Sequence, residues 1–143
     1  MLRSRVALAS LVLAVLPAAF GACSTSGAAS AGSSGTGAVD PGLGAVVDLT
    51  GKAEVSIDVV DNSYTPQAFE VSPGTKVTYT NKGANVHNVT PAVEGDFTEI
   101  SLTPGDSKSI VAPYKPGTFK FYCTIHGGLS SGQRGQLIVV APR

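Results

Sequence analysis

The chain has 143 residues, which is the size of a single domain and leaves no room for a second core. Its 10 Lys and Arg balance its 10 Asp and Glu, and setting aside Arg3 and Arg5 leaves 8 basic residues against 10 acidic ones. A slightly acidic unit of this kind gives no electrostatic basis for binding nucleic acid.

At the N-terminus, Arg3 and Arg5 precede an apolar run from Val6 to Phe20 that is interrupted only by Ser10 and Pro17. A charged start followed by an apolar stretch is the pattern of a secretory signal. The run is about fifteen residues long, and a membrane-spanning helix needs about twenty. Phe20-Gly21-Ala22-Cys23 resembles a bacterial lipobox, with Phe standing where Leu is usual. The expected arrangement is a lipoprotein-type signal peptide over 1–22 and a lipid on Cys23, which becomes the mature N-terminus and ties the protein to the cell membrane. Ordinary cleavage near this point would instead give a secreted or periplasmic protein, and on either course the domain works outside the cytoplasm.

From Ser24 to Ala45 the chain is almost entirely Ser, Gly, Ala and Thr, without apolar periodicity. Residues 23–50 are expected to form a flexible tether, whose reach for about twenty Gly/Ser-rich residues is roughly 25 Å.

From residue 51 onward the pattern is one of strands. Val55, Ile57 and Val59 alternate with Glu54, Ser56 and Asp58, so one face is apolar. Strand-like runs follow at 68–71, 75–80, 87–90, 97–102, 107–112, 118–123 and 136–140. Ser72-Pro73-Gly74, Pro104-Gly105 and Pro116-Gly117 punctuate them, since Pro fixes one φ and Gly supplies a permissive one. No stretch offers a helix of ordinary length. Seven to eight short strands at this spacing predict an all-β fold over 51–143, a Greek-key antiparallel β-sandwich. Val55, Ile57, Val59, Phe119 and Phe121 are expected in its core. Tyr64, Tyr79, Tyr114 and Tyr122 are expected to pack with a wet edge, and the dispersed lysines to lie on solvated faces.

Both histidines of the chain fall where strands end, His87 within Asn85-Val86-His87-Asn88-Val89 and His126 within Cys123-Thr124-Ile125-His126-Gly127-Gly128. If Cys23 carries a lipid, Cys123 has no disulfide partner, and a lone exported thiol asks for a use in metal ligation or intermolecular pairing. A thiolate and an imidazole three positions apart can reach one metal, and a second imidazole from another strand can complete a trigonal set. Two His and one Cys are the equatorial donors of blue-copper electron-transfer sites. Thiolate favours Cu(I) while imidazole serves both oxidation states, whereas zinc sites prefer more thiolate or a fuller set of strong donors.

Several further segments belong with these residues. They are Tyr64-Thr65-Pro66 leading to Phe69, Pro73-Gly74-Thr75-Lys76-Val77-Thr78-Tyr79-Thr80-Asn81, the His87-Asn88-Val89 step, and Pro116-Gly117-Thr118-Phe119-Lys120-Phe121-Tyr122-Cys123-Thr124-Ile125-His126. Together they make the stretch from about Lys52 to Val140 resemble the cupredoxin family, specifically the small plastocyanin- and pseudoazurin-like domains of bacterial lipoproteins. The resemblance implies one type 1 copper ion on His87, Cys123 and His126. It also implies that Asn88 and Thr124 join the two ligand segments by a hydrogen bond.

At the axial position the chain departs from the family, which usually places a Met a few residues after the second His. The only methionine here is Met1. Leu129 matches the shortest ligand loops. Gly132-Gln133-Arg134-Gly135 matches longer ones with Gln in place of Met, and Gln133 through its amide oxygen is the favoured axial ligand. A harder oxygen donor stabilises Cu(II) and lowers the potential relative to a Met-ligated relative, and Leu129 at the apex would do the opposite.

The function expected is transfer of single electrons between protein redox partners that dock near His126, with no catalysis. The alternative is a copper-binding or delivery module for an exported copper enzyme, a role often filled by Met- and His-rich exchangeable ligands that this chain lacks. Two histidines are too few for a multicopper oxidase, and a monomer is expected.

Overall fold

Residues 38–141, the part of the chain described by the computed structural model, form ten strands and one 3-10 turn, with no α-helix. Strands β1 (Val47–Asp48), β4 (Ala68–Val71), β6 (His87–Pro91), β7 (Ile100–Leu102), β9 (Gly117–Gly127) and β10 (Gly132–Val139) build one sheet in the order β1-β4-β10-β9-β6-β7. Strands β2 (Glu54–Val60), β3 (Ser63–Thr65), β5 (Lys76–Asn81) and β8 (Ser107–Val111) build the other in the order β3-β2-β5-β8. The expected signal peptide over 1–22 and the expected lipid site Cys23 lie outside the described residues. Among those described, no helix is long and apolar enough to cross a membrane.

The sandwich is the expected one, with two differences. Ten strands replace seven or eight because β1 and β3 have only 2 and 3 residues, too few to show a period of two. The sheets are also mixed, since β1–β4, β4–β10 and β2–β5 pair in parallel. The chain changes sheet at β1/β2, β3/β4, β4/β5, β5/β6, β7/β8 and β8/β9. Strands distant in sequence therefore meet as neighbours running the same way, and alternation within a strand carries no information about its partner.

The core lies between the sheets. Val55, Ile57 and Val59 point inward from β2 and alternate with outward residues, as a half-buried strand must. Phe121 of β9 sits at the centre, its ring centroid 5.0 Å from Tyr64, 5.8 Å from Tyr79 and 6.3 Å from Phe69. The first two contacts are edge-to-face, the arrangement the ring quadrupoles favour. A wet edge was expected for the tyrosines, and Tyr64 and Tyr79 lack one: both are fully buried, and burial pushes both phenols well above their ordinary pKa. Tyr114, by contrast, is largely exposed.

The ordered unit begins upstream of Gly51. The buried side chain of Gln136 accepts from the Asp40 backbone N–H (3.0 Å) and donates to the Ala38 carbonyl (3.1 Å). Asp40 caps the 3-10 turn Pro41–Leu43, and Arg134 lies 3.5 Å from its carboxylate. Of residues 38–50, read from composition as the end of the tether, Ala38 and Asp40 are thus held by Gln136 and Arg134 of β10, and Val47 to Leu49 by β4.

Candidate metal centre

His87 opens β6, and what precedes it is pinned from inside the protein. Asn81, almost fully buried, donates to the carbonyls of Asn85 and Leu102 and accepts from the Gly83 N–H. The loop from Lys82 to Val86 is therefore fixed before it delivers His87 to the interior, where the ring is fully buried.

Cys123 and His126 owe their convergence to a break in register. Gly132 pairs with Gly127 and Arg134 with Tyr122, so the four residues Cys123 to His126 of β9 oppose the single Gln133 of β10. An irregularity of this kind re-aims side chains. It brings Cys123 Sγ to 3.6 Å from His126 Nδ1. The return of the chain is tight: Gly132 has φ 76°, and a Cβ there would come within 2.4 Å of the His126 carbonyl oxygen.

His87 Nδ1 lies 3.1 Å from His126 Nδ1 and 4.0 Å from Cys123 Sγ. The circle through these three atoms has a radius of about 2.1 Å, against bond lengths of about 2.0–2.1 Å from a first-row ion to imidazole and about 2.3 Å to thiolate. The triangle is thus the right size to hold one metal ion in trigonal coordination, and its donor types are those of a blue-copper site.

A buried amide stands beside it. Gln133 is fully buried with its Oε1 2.8 Å from His87 Nδ1. Its Nε2 donates to the carbonyls of Val60 and Ser63, each at 3.1 Å. Those two acceptors settle which way the amide faces, and the oxygen is the end turned to the donor cluster. Leu129, the other residue weighed for this place, is half exposed.

Around the donors, Asn88 and Thr124 are joined reciprocally. Asn88 Nδ2 donates to Thr124 Oγ1 (2.6 Å), and the Thr124 N–H donates to Asn88 Oδ1 (2.8 Å). The Tyr64 hydroxyl donates to the Asn88 carbonyl. The residue after His87 is thereby tied to the residue after Cys123, and both to the core.

One neighbour was not singled out in the sequence. Asp61, in the turn between β2 and β3, places Oδ1 3.1 Å from His87 Nε2. The hydrogen bond with His87 is the largest cause holding its carboxyl below the usual aspartate range, followed by one from Asn85. An Asp-Asn pair reads in sequence as an ordinary hairpin turn, and nothing local marks it for the metal centre.

The profile of a family described as a cupredoxin-like domain matches residues 15–139. Plastocyanin from Vicia faba is 33% identical over 89 residues, covering 54% of this chain and 87% of that one. Among solved structures, an oxidized mutant of amicyanin is similar with a TM-score of 0.52 and 24% identity, over 63% of this chain and 85% of the other. Dithionite-reduced auracyanin from Roseiflexus castenholzii gives 0.50 and 22% identity, over 62% and 98%. These two structural likenesses bear on the fold.

Proposed function

The chain belongs to the cupredoxin family, and from that premise we propose that it is an extracytoplasmic one-electron carrier. It holds one copper ion on His87, Cys123 and His126, with Gln133 as the axial donor. The observation that supports this most is the convergence of two imidazoles and a thiol on one point, with an oriented amide oxygen beside them. Copper in such a set alternates between Cu(II) and Cu(I), accepting one electron from a reduced protein partner and passing it to an oxidised one.

The chain's own contribution is to keep the donors still. His87, Cys123 and Gln133 are fully buried on three different strands, and Asn88 and Thr124 brace the ligand segments. Donors locked in this way suit retention of the metal and a fast change of valence. They suit handing the metal on less well, which favours the carrier over the delivery module.

His126 is only partly buried, and Val86, Ile125 and Leu129, which flank the ligands in the chain, are 41%, 56% and 48% exposed. This apolar rim is the face on which a redox partner docks, bringing its centre near His126 through a small and brief interface.

The test is the visible absorption and electron paramagnetic resonance spectrum of the full-length chain loaded with Cu(II). An intense thiolate-to-copper band with narrow hyperfine splitting is expected; a pale tetragonal spectrum would sink the carrier reading. The lipid anchor rests on the sequence of residues 1–23. Mass spectrometry of the native N-terminus is expected to find a diacylglyceryl group on Cys23, and an unmodified terminus elsewhere would reject the anchor.

A further inference from the structure

A metal ion bound at Nδ1 of His87 would leave the ring proton on Nε2, and that nitrogen belongs to a fully buried side chain. A buried N–H without an acceptor is unfavourable, and the acceptor here is the Asp61 carboxylate at 3.1 Å. Several features bring Asp61 to that place. Val60 pairs with Ser63, so Asp61 and Asn62 form a two-residue hairpin turn, with Asn62 at φ 67°. The Ala84 N–H points at Asp61 Oδ2 from 3.4 Å, and Asn85 donates to the same carboxylate. Gly83 is the residue that makes room: a Cβ there would lie 2.5 Å from Asp61 Oδ1 and 3.0 Å from the Asp61 backbone nitrogen.

The same turn supplies the Val60 and Ser63 carbonyls that orient the Gln133 amide. One hairpin of the small sheet therefore holds two donors carried by the large sheet, one through a carboxylate and one through two carbonyls.

We propose that Asp61 is a positioning residue of the metal centre, which fixes the His87 ring through its Nε2–H and, by its negative charge, favours Cu(II) over Cu(I). The inference rests on the copper reading given above. The physics is that of a carboxylate behind a metal-bound imidazole: accepting the distal proton raises the basicity of the coordinating nitrogen and locks the tautomer. Both effects, with the charge itself, lower the reduction potential.

The experiment compares redox titrations and copper affinity of the full-length wild type, Asp61→Asn, Asp61→Ala and Gly83→Ala. Asp61→Asn keeps an acceptor and the turn but removes the charge. It is expected to retain the blue band while the Cu(II)/Cu(I) ratio at fixed potential shifts at least tenfold toward Cu(I), about 59 mV for one electron. Asp61→Ala is expected to shift the same way and to weaken copper binding 10- to 100-fold, the usual effect of losing such a partner. Gly83→Ala, which displaces the carboxylate without changing the charge of the chain, is expected to raise the potential as well. A wild type with a blue band and an Asp61→Asn potential unchanged from it overturns the proposal and leaves the copper reading standing. A wild type with no thiolate band overturns both.

Discussion

Cys123→Ser is expected to abolish the blue band completely while leaving the sandwich folded. The thiolate is the only anionic donor in the triangle, and the colour of such a site is charge transfer from that sulfur to the metal. A serine hydroxyl at the same position stays protonated and offers a weak neutral oxygen. Two imidazoles then remain, and copper that still binds is expected to give a pale, tetragonal spectrum. The fold should tolerate the change, because Cys123 is a small side chain that serine nearly matches in volume, although it is fully buried in the core cluster. Placing a hydroxyl there costs about 1–3 kcal/mol, less if it finds an acceptor. Thermal unfolding of the metal-free variant beside metal-free wild type measures that cost independently of the spectrum. A blue band that survives in Cys123→Ser would mean that the sulfur is not a ligand, and the assignment of the whole triangle would have to be abandoned.

How much of this centre could be read in the sequence depended on whether each residue's role was local. Val55, Ile57 and Val59 announce a buried face because alternation is a property of the strand itself. His87, Cys123 and His126 are rare residue types at a telling spacing, and the i, i+3 relation of the last two needs only one irregular turn to become a contact. Gln133 was legible as a candidate from its frame of glycines, but not the direction of its amide. That depends on the carbonyls of Val60 and Ser63, about seventy residues earlier in the chain. Asp61 is hidden in the sequence for the same reason in stronger form. Its approach to His87 requires an absent side chain at Gly83 and a hairpin folded against the other sheet. The docking of residues 38–43 is equally hidden, because Ala38-Val39-Asp40-Pro41-Gly42-Leu43 is too short to show an apolar period and its anchor is the buried Gln136. In each case the missing information is the pairing of distant segments, which residue periodicity does not encode.

Gln133→Met is expected to raise the reduction potential and to lower stability, two effects with separate origins. The first comes from the oxygen. An amide carbonyl is a harder donor than a thioether and stabilises Cu(II) relative to Cu(I), so exchanging it for sulfur moves the balance toward Cu(I). A tenfold change in the Cu(II)/Cu(I) ratio, about 59 mV for one electron, is the least that would count as support. The second effect comes from the amide nitrogen. Methionine cannot donate to the Val60 and Ser63 carbonyls, and leaving buried acceptors unsatisfied destabilises by about 1–3 kcal/mol. For a domain of this size that is a fall of several degrees in the unfolding temperature, at about 4–8 °C per kcal/mol. Redox titration with the absorption spectrum reads the first, and thermal unfolding of the metal-free protein reads the second. If Gln133 only fastens β10 to the β2–β3 turn, the substitution lowers the unfolding temperature while the potential and spectrum stay where they were, and the axial role is lost. If the potential rises as the blue band shifts, the residue has both tasks. The hydrogen bonds that anchor its nitrogen are then what aim its oxygen at the metal.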